Sequence, residues 1–477
     1  MTQLDLVVIG GGTAGLVAAI GAASIGARVA LVERERTGGE CLWTGCVPSK
    51  SLLAAAQLAH RMRRAADVGL APVDPEIDFA AVKRHVERAQ AAIAPHDSPE
   101  RLRGLGIEMV EASAAFTAPR RIRAGARELR ARRVLIATGS EPVLPPIAGL
   151  DAVAALTTDT IWEIDELPAR LAVLGGGPIG CELAQAFARL GSRVTIIERE
   201  PQLLGREEPE TSELLARRLR AEGIDLRLGW SAIRAAPGEL EIECDGEQVA
   251  VAFDRVLVAT GRRPRTEDLD LAAAGVQLNA AGAVRTDERL RTSAAGIFAA
   301  GDVTGAPPFT HLAAHHARIV VTNALLHTRR RVEQQAVPRV TYTDPEVAAV
   351  GLGEREARER HGHRATVARF DYAQLDRAIT DGVADGFVKL IGDRRGRLVG
   401  ATIAAPGAGD AIAELTSALR REARIDEISQ TIHAYPTLAE GPARAADEHL
   451  RAKYFNDRVR RVARPVLTIL RALERPR

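Results

Sequence analysis

The stretch Leu6-Val7-Val8-Ile9-Gly10-Gly11-Gly12-Thr13-Ala14-Gly15 decides the fold of the first part of the chain. Its four leading apolar residues are typical of a strand that is buried on both faces of a parallel sheet. An alanine-rich helix is predicted from about Leu16 to Gly26, and a second strand over 28–33 ends at Glu33, 23 residues after Gly10. This pattern predicts a dinucleotide-binding βαβ unit, with the pyrophosphate at the helix N-terminus and the acid on the ribose hydroxyls.

The same unit occurs a second time, over 171–198. Its second strand ends at Glu198, again 23 residues after the first glycine of the loop, Gly175. An Ala-Thr-Gly turn follows each unit, at 137–139 and at 259–261. Two copies with matching acids and turns predict two dinucleotide sites. The loop glycines expected to approach the two dinucleotides are Gly10, Gly12, Gly15, Gly175, Gly177 and Gly180.

The segment Cys41-Leu42-Trp43-Thr44-Gly45-Cys46-Val47-Pro48-Ser49-Lys50 carries the reactive side chains. Two cysteines five positions apart fall on nearly the same face of a helical turn, close enough to be bridged. A helix N-terminus and the charge of Lys50 both favour the thiolate that disulfide exchange requires. The alternative is a pair of structural thiols in a core helix, and the two nucleotide-binding units argue against it.

Composition narrows the class of protein. A length of 477 residues suggests about three domains. A net charge of +2 and 3% aromatic residues give no sign of a nucleic-acid binder. Four cysteines are too few for a secreted disulfide scaffold, which favours a reducing compartment. The N-terminus shows no signal peptide, and no apolar run reaches about 18 residues, so we expect a cytoplasmic protein.

The remaining segments are predicted more coarsely. We expect helices over 51–66 and 79–94, a small antiparallel sheet between 107 and 134, a buried strand over 134–139 and a proline-containing linker at 142–146. Another strand over 297–300 ends at Gly301-Asp302. From Val337 onward the pattern is that of an α+β module, with strands at 387–391 and 398–403 and helices near 408–421 and 439–453.

Taken together, these motifs resemble the class I pyridine nucleotide-disulfide oxidoreductases, the flavoprotein family of glutathione reductase, dihydrolipoyl dehydrogenase and mercuric reductase. The resemblance runs from about Leu4 to Tyr454. It rests on the two glycine loops, GGxCxxxxGCxPSK at 38–50, both Ala-Thr-Gly turns, Gly301-Asp302, and Tyr435-Pro436-Thr437-Leu438-Ala439-Glu440. It implies an α/β fold with two Rossmann-like dinucleotide-binding domains, one for FAD and one for NAD(P), and a C-terminal α+β dimerisation domain. The implied segments are 1–150 and 266–336 for the FAD domain, 151–265 for the NAD(P) domain, 337–456 for the dimerisation domain and 457–477 for a basic tail.

The resemblance also implies roles for individual residues. Cys46 would be the thiolate beside the flavin, and Cys41, nearer the entrance, the interchange thiol that attacks the substrate. Lys50 would lie near the flavin and pair with Glu182; the alternative for Glu182 is an exposed helical carboxylate. Further cofactor contacts are expected from Glu33, Thr138, Gly139, Asp302 and His311 toward FAD, and from Glu198 and Gly261 in the second unit. No metal site is expected, and His315 and His316 are expected to pack or to lie at the surface.

One position departs from the family pattern. Most members carry a His–Glu acid–base pair near the C-terminus, contributed by the partner subunit, whereas this chain has Tyr435 and Glu440. Tyrosine, with a pKa near 10, is only about 0.1% ionised at pH 7, so it is a poor base for oxidising a dithiol but can still donate a proton. His433 is an alternative proton donor. Mercuric reductase also has a tyrosine here, but this chain lacks the C-terminal cysteine pair and the N-terminal metal-binding domain of that enzyme.

The sequence therefore predicts a homodimeric FAD enzyme that uses NADH, favoured over NADPH by Glu198, to reduce the Cys41–Cys46 disulfide. The acceptor would be a small-molecule or protein disulfide, or a thiol-bound metal ion or oxidant. Alternatives are a dihydrolipoyl dehydrogenase, an NADH oxidase or quinone reductase that uses flavin alone, and a flavin-bound scaffold at membranes. Cys181 and Cys244 are expected to be core thiols.

The last 20 residues, 458–477, contain seven arginines and one glutamate with a helical apolar stripe that is broken at Pro465. Such a segment is typical of a basic amphipathic helix on anionic lipid. The favoured alternative is a tail that packs on its own dimer.

Overall fold

The computed structural model describes residues 3–454 and 457–474, which form two compact units. The first unit comprises residues up to 64, 72–203 and 219–333, and the second comprises 65–71, 204–218 and the chain from 334 onward. The predictions made for the first two residues, for residues 455 and 456 and for the last three residues of the tail lie outside the described part. No described helix is both long and apolar enough to cross a membrane.

The strands of the first unit are β1 (Leu4–Ile9), β2 (Val29–Glu33), β3 (Glu108–Glu111), β4 (Ala114–Ala118), β5 (Arg121–Ala124), β6 (Arg127–Ile136), β7 (Ser140–Pro142), β8 (Leu156–Thr157), β9 (Arg170–Leu174), β10 (Arg193–Glu198), β11 (Asp225–Leu228), β12 (Ser231–Ala236), β13 (Glu239–Cys244), β14 (Glu247–Ala252), β15 (Arg255–Val258), β16 (Arg262–Pro264) and β17 (Ile297–Ala299). The strands of the second unit are β18 (Arg339–Thr341), β19 (Val347–Gly351), β20 (Thr366–Asp371), β21 (Phe387–Gly392) and β22 (Leu398–Ala404).

The helices are α1 (Thr13–Ser24), α2 (Gly39–Trp43), α3 (Cys46–Arg63), α4 (Phe79–Ile93), α5 (Pro99–Gly104), α6 (Pro178–Leu190), α7 (Pro209–Ala221), α8 (Thr310–Leu325), α9 (Glu354–His361), α10 (Asp376–Thr380), α11 (Ala408–Arg420), α12 (Ile425–Ser429), α13 (Gly441–Tyr454) and α14 (Asp457–Leu473).

The first sheet is built around β1, which lies between β2 and β6 and runs parallel to both. Val8 pairs with Leu31 on one side and with Leu135 on the other, as the continuous apolar run of β1 predicts. The order is β3-β2-β1-β6-β5-β4, with β17 also paired to β6. Strands β4, β5 and β6 are antiparallel, which corresponds to the small antiparallel sheet predicted between 107 and 134. Helices α1 and α8 pack together on this sheet.

The second glycine-loop unit lies in a parallel sheet of order β11-β10-β9-β15-β8. A three-stranded antiparallel sheet, β12-β13-β14, lies in the chain between β11 and β15. The predicted proline-containing linker begins in β7, which pairs with β16 in a two-stranded ribbon. The chain therefore enters the second nucleotide-binding unit along β7 and leaves it along β16.

The second unit contains one antiparallel sheet of order β18-β19-β22-β21-β20. Strand β21 is buried along its whole length, and helices α11 and α13 pack against the sheet. The predicted α/β fold with a C-terminal α+β module is thus confirmed. The predicted break at Pro465 is wrong, because α14 continues through this proline. Pro465 removes one backbone hydrogen bond from the helix without ending it.

Candidate active site

The two cysteines of the motif lie on consecutive helices. Cys41 is in α2, and Cys46 is the first residue of α3. The expectation that both lie on one helical turn is therefore wrong, because Gly45 between them has a non-helical backbone, with φ −116° and ψ −108°. Both are free thiols, and they are hydrogen-bonded to each other. The turn at Gly45 thus brings the sulfur atoms together and leaves Cys46 at a helix N-terminus.

The electrostatic environment makes the two thiols unequal. The hydrogen bond from Cys41 lowers the pKa of Cys46 to about 6, and Thr310 and the charge of Lys50 act in the same direction. The same hydrogen bond, together with burial, raises the pKa of Cys41. The Cys46 Sγ atom also lies 3.4 Å from Oγ1 of Thr310, the first residue of α8. Cys46 therefore holds the negative charge, and Cys41 acts as its donor.

The two cysteines differ in exposure. Cys46 is exposed and Cys41 is half-buried. The reason is local, since Cys46 begins its helix whereas Cys41 lies within α2, which packs against α3 and α4. The two cysteines therefore differ in burial as well as in pKa. That Cys41 lies nearer the substrate stays a prediction.

Lys50 lies one turn beyond Cys46 on α3 and forms an ion pair with Glu182 of α6. Its Nζ atom is 2.6 Å from Oε2 of Glu182, whose side chain is 7% exposed. The packing of α3 against α6 brings the two residues together. Glu182 is therefore a buried partner and not an exposed helical carboxylate. The two members of the ion pair have opposite effects on Cys46, because Lys50 lowers the pKa of that thiol and Glu182 raises it.

The backbone between the two cysteines is held by side chains that no sequence motif marks. Gln90 of α4 donates its Nε2 hydrogens to the carbonyl oxygens of Leu42, at 3.1 Å, and of Trp43, at 2.8 Å. Trp162 donates its ring N–H to the carbonyl of Thr44 at 2.8 Å. Three successive carbonyls thus have fixed partners. We call Gln90 and Trp162 the loop clamp.

The first glycine loop fits a dinucleotide. Gly10 has φ +104°, and a Cβ atom on it would lie 2.4 Å from the carbonyl oxygen of Ala137. A Cβ atom on Gly15 would lie 1.8 Å from the carbonyl oxygen of Gly10, so α1 and the strand can approach only with glycine there. Helix α1 begins after Gly12 with no side-chain cap, which leaves its first N–H groups for a phosphate. The Glu33 carboxylate accepts the Gly11 N–H at 2.5 Å, beside this loop.

The second loop repeats this geometry. Gly175 has φ +108°, and a Cβ atom on Gly180 would lie 2.0 Å from the carbonyl oxygen of Gly175. Helix α6 begins after Gly177, again with no side-chain cap. Glu198 accepts the Gly176 N–H at 2.6 Å, as Glu33 does in the first unit. Both loops therefore have the same geometry, with an uncapped helix N-terminus that could receive a pyrophosphate and a carboxylate beside the glycines.

Asp302 and the Ala-Thr-Gly turns line the edge between the two nucleotide-binding units. Asp302 accepts a hydrogen bond from Ser140 Oγ at 2.7 Å, and burial raises its pKa. Thr138 donates its hydroxyl to the carbonyl of Arg265 at 2.7 Å. The turns themselves depend on glycine, with φ +73° at Gly139 and +156° at Gly261.

The histidines of α8 do not gather around one point. His311 is exposed in the first turn of α8 and stacks on Phe309, with ring centroids 5.2 Å apart. The Nδ1 atom of the buried His316 accepts the Gly301 N–H at 3.3 Å. The Nε2 atom of His315 accepts the Glu333 N–H at 3.4 Å. His316 therefore packs against the turn that carries Asp302.

The half-buried Arg262 links α2, the helix that carries Cys41, to Ser140 and Asp302. Arg262 donates to Glu40 at 2.5 Å and to Ser140 Oγ at 2.9 Å, and Glu40 immediately precedes Cys41. Burial raises the pKa of Glu40 to about 7 although Arg262 opposes the shift. Neither residue stands out in the sequence, because the pair joins positions 222 residues apart. Arg262 therefore links the Cys41 helix to the Ser140–Asp302 contact.

The C-terminal residues of the second unit are arranged differently from a His–Glu pair. The Tyr435 hydroxyl donates to Asp376 at 2.8 Å, and this bond raises the pKa of Tyr435. Glu440 is buried and accepts from Arg444 at 3.0 Å and from the Thr437 N–H at 3.3 Å. Tyr435 and Glu440 thus have separate partners. The neutral tyrosine is favoured, which suits a proton donor.

His433 is the alternative proton donor near Tyr435. Its Nε2 atom lies 3.0 Å from Glu414, and its Nδ1 atom lies 2.9 Å from the carbonyl oxygen of Thr431. Burial is the largest single effect on its pKa and lowers it, but the hydrogen bonds to Glu414 and Thr431 and the charges of Glu414 and Glu440 together raise the pKa of His433 overall. Tyr435 is 65% exposed whereas His433 is half-buried, so Tyr435 is the more accessible of the two candidate donors.

The remaining cysteines and acidic residues have structural surroundings. Cys181 is fully buried, and burial raises its pKa, whereas Cys244 at the end of β13 is only half-buried, so the prediction of a core thiol is wrong for Cys244. Among the described residues, one group of three carboxylates could share a cation: Glu208, Glu210 and Glu354. The buried Lys389 ammonium already lies among them, 2.8 Å from Glu354.

Comparison with known proteins connects this arrangement to characterised relatives. The family profile described as pyridine nucleotide-disulphide oxidoreductase matches residues 4–317, and that of its dimerisation domain matches residues 337–446. A dihydrolipoyl dehydrogenase from Thermus scotoductus is 37% identical over 465 residues, which cover 94% of this chain and 97% of the relative. A mercuric reductase from Streptomyces lividans is 39% identical over 458 residues, which cover 93% and 96%.

Solved structures with similar folds cover nearly the whole chain. The flavoprotein disulfide reductase RclA from Escherichia coli, in a Cu(II) complex, matches with a TM-score of 0.82 and 29% identity over 92% of this chain and 98% of that structure. LpdA from Mycobacterium tuberculosis matches with a TM-score of 0.85 and 28% identity over 93% and 99%. The similarity therefore extends over both nucleotide-binding units and the C-terminal module.

Proposed function

Because the chain belongs to the pyridine nucleotide-disulphide oxidoreductase family, we propose that it passes electrons from NAD(P)H through FAD to a Cys41–Cys46 disulfide and on to a disulfide, a thiol-bound metal ion or an oxidant. Members of this family use FAD and NAD(P)H. FAD, when bound, supplies the two-electron carrier between the nicotinamide and sulfur. The first glycine loop with Glu33, Thr138, Gly139, Asp302 and His311 would hold it, and the second loop with Glu198 and Gly261 would hold the pyridine nucleotide.

Each of the two thiols has its own role in the reduction of a disulfide substrate. Cys41 gives its proton to the Cys46 thiolate across their hydrogen bond, and the Cys41 thiolate attacks one sulfur of the substrate. A mixed disulfide forms and the first substrate thiolate leaves. The Cys46 thiol then gives its proton to this leaving thiolate, a loss that Lys50 and Thr310 favour, and the Cys46 thiolate attacks the Cys41 sulfur. This step restores the Cys41–Cys46 disulfide and releases the second thiolate, so that the two electrons of the dithiol have passed to the substrate.

The leaving thiolates need protons, and Tyr435 is proposed as a donor. In a homodimer Tyr435 and Glu440 would come from the partner subunit, as the resemblance implies. The neutral state of Tyr435 is favoured by its bond to Asp376, so it can protonate a thiolate but is a poor base for the reverse reaction. This favours a reductase over a dihydrolipoyl dehydrogenase.

The observation that carries the proposal is the hydrogen-bonded Cys41–Cys46 pair with the Lys50–Glu182 ion pair one turn away. Anaerobic titration of the FAD-loaded protein with NADH tests it. We expect a long-wavelength absorbance band from the Cys46 thiolate after two-electron reduction of the unchanged chain. Cys41→Ser, which cannot form the disulfide, should show the band before any reductant is added, and Cys46→Ser should not show it at any stage. Cys244→Ser is the matched control. If Cys41→Ser leaves turnover with every acceptor intact, electrons do not pass through sulfur, and an NADH oxidase or quinone reductase becomes the correct assignment.

The acceptor class is the second element to test. The names of the relatives point to dihydrolipoamide and mercuric ions, and the RclA structure is that of a Cu(II) complex. We propose a disulfide or a thiol-bound metal ion, with NADH preferred because Glu198 would repel the 2′-phosphate of NADPH. Steady-state rates decide between these acceptors and coenzymes. They are measured with lipoamide, low-molecular-weight disulfides, Hg(II), Cu(II) and quinones, each with NADH and with NADPH. A rate highest with dihydrolipoamide and NAD⁺ would instead identify a dihydrolipoyl dehydrogenase.

We also propose an oligomeric state and a cellular location for the protein. The match to the dimerisation domain supports a homodimer built through residues 337–456, and the few cysteines support the cytoplasm. We further propose the division into an FAD domain (1–150 and 266–336) and an NAD(P) domain (151–265). Light scattering tests the dimer, and mixing Cys46→Ser with Tyr435→Phe protomers tests for shared sites, because only mixed dimers would regain one intact site.

A further inference from the structure

Helix α14 lies outside the residues that the two family profiles match. The match to the dimerisation domain ends at residue 446, and α14 spans Asp457–Leu473. All of its large apolar side chains in the described range 459–474 are exposed. They are Val459, Val462, Val466, Leu467, Ile469, Leu470 and Leu473. A helix with this much exposed apolar surface is typical of an interaction segment.

The helical periodicity separates the apolar and basic side chains of α14. At about 100° per residue, the seven apolar side chains fall within an arc of about 160°. Four arginines lie on the opposite arc: Arg460, Arg461, Arg464 and Arg471. No acidic residue occurs between 459 and 473. The helix therefore has an apolar face and a cationic face, and Asp457 at its start is its one acidic residue.

We propose that α14 lies in the interface of an anionic lipid bilayer, with its apolar face among the acyl chains and its arginines at the headgroup phosphates. A strongly amphipathic helix of modest overall hydropathy with arginine on its polar face is the pattern of interfacial membrane helices. Long arginine side chains can reach the headgroups while their methylene groups remain in the apolar layer.

A second copy of α14 fits this surface less well. The apolar arc is wider than the narrow seam of a coiled coil. Two such helices would also bring together a large excess of arginine, because each copy of α14 contains five arginines and one acid. The phosphate layer of an anionic bilayer supplies negative charge that balances this excess. The inference does not depend on which acceptor the enzyme reduces.

Vesicle co-sedimentation of the FAD-loaded full chain tests the proposal. Vesicles of phosphatidylglycerol mixed with phosphatidylcholine are compared with pure phosphatidylcholine, at low and at high salt. The variants are a chain ending at residue 456, a quadruple Arg→Gln variant at 460, 461, 464 and 471, and a triple Ser variant at Val466, Ile469 and Leu470. The matched control replaces four exposed arginines of the same unit by Gln: Arg355, Arg360, Arg394 and Arg395.

We expect the full chain and the matched control to bind anionic vesicles, at least about 100-fold more tightly than the truncated chain or the quadruple Arg→Gln variant. High salt should weaken binding, and the triple Ser variant should also fail to bind. Equal binding by the truncated chain, equal binding to pure phosphatidylcholine, or no binding by the full chain would each overturn the proposal. In the last case, a fall in the dimer fraction of the truncated chain, measured by light scattering, would identify a second copy as the partner.

Discussion

The Nζ atom of Lys50 lies 2.6 Å from Oε2 of Glu182, and the two side chains act on the Cys46 thiol with opposite signs. Lys50 stabilises the thiolate, so Lys50→Met should raise the pKa of Cys46. Glu182 destabilises the thiolate, so Glu182→Gln should lower it. Titration of the ultraviolet thiolate absorbance of the reduced protein, with the Cys46→Ser titration subtracted, measures both shifts. Lys83→Met, which removes an exposed ion pair with Asp165, is the control. Shifts of the same sign in both variants would contradict this account.

The same ion pair should contribute to stability. Lys50→Met leaves the carboxylate of Glu182 buried without its cation, and an uncompensated buried charge is strongly unfavourable. Because Lys50 is itself partly exposed, we expect a loss of about 1–3 kcal/mol in the free energy of unfolding. Replacing both residues, in Lys50→Met/Glu182→Gln, should recover most of the loss. Denaturant unfolding of the three variants gives the coupling, and additive losses would show that the pair is not coupled.

The pH dependence of thiol reactivity should follow the pKa of Cys46. Because the folded value of about 6 is below the ordinary thiol value, Cys46 is a thiolate above about pH 6 and is protonated as the pH falls through it. Alkylation by iodoacetamide should slow about tenfold per pH unit below this point. The lowered pKa of Cys46 also stabilises the folded, reduced protein. This contribution to stability is fully present above the pKa of the thiol in the unfolded chain, and it is lost as the pH falls through about 6.

The Cys41→Ala variant tests the cause of that low pKa. It removes the hydrogen bond that contributes most to the shift, so the alkylation profile of Cys46 should move to higher pH. A background with Cys181 and Cys244 replaced by Ser restricts the signal to the pair. An unchanged profile would mean that the helix N-terminus and Lys50 set the pKa without Cys41.

The loop clamp should tune the reduction potential of the cysteine pair. By fixing the carbonyls of residues 42–44, Gln90 and Trp162 hold the two sulfur atoms close together, which favours the disulfide over two independent thiols. Trp162→Phe keeps the ring but removes the N–H donor, and Gln90→Leu removes two bonds. At about 1 kcal/mol per lost bond, we expect the potential to rise by about 20–40 mV. Equilibration with glutathione measures it, with Trp230→Phe as the control. A fall in potential would contradict this role.

The reactive motifs could be predicted because their signals are local. Gly10 and Gly175 must be glycine where the backbone takes positive φ and closely approaches a neighbouring strand, and the acids at Glu33 and Glu198 follow at fixed spacing. The pairing of Lys50 with Glu182 is expected only from the family resemblance, because no local pattern joins residues 132 positions apart.

The supporting residues could not be predicted from local patterns. Gln90 lies on an amphipathic helix, and nothing in the spacing of α4 distinguishes a glutamine that binds two carbonyls of a distant loop. Arg262 and Glu40 are joined only by the tertiary fold. The placement of both cysteines on one helical turn is wrong because the backbone leaves the helical conformation at Gly45, and helical periodicity does not report that break.

Tyr435 is the residue at which the direction of the reaction can be tested. Its hydroxyl donates to Asp376 and its pKa is raised, so at neutral pH it is almost never the base that dithiol oxidation needs. Histidine, with an ordinary pKa near 6.5, is mostly neutral at pH 7 and can accept a proton. Tyr435→His should therefore increase the rate of dihydrolipoamide oxidation by NAD⁺ by about 100-fold or more. Tyr454→His, another exposed tyrosine of the same unit, is the control. If Tyr435→His lowers disulfide reduction without any gain in dithiol oxidation, the side chain at 435 orients substrate and does not move its proton.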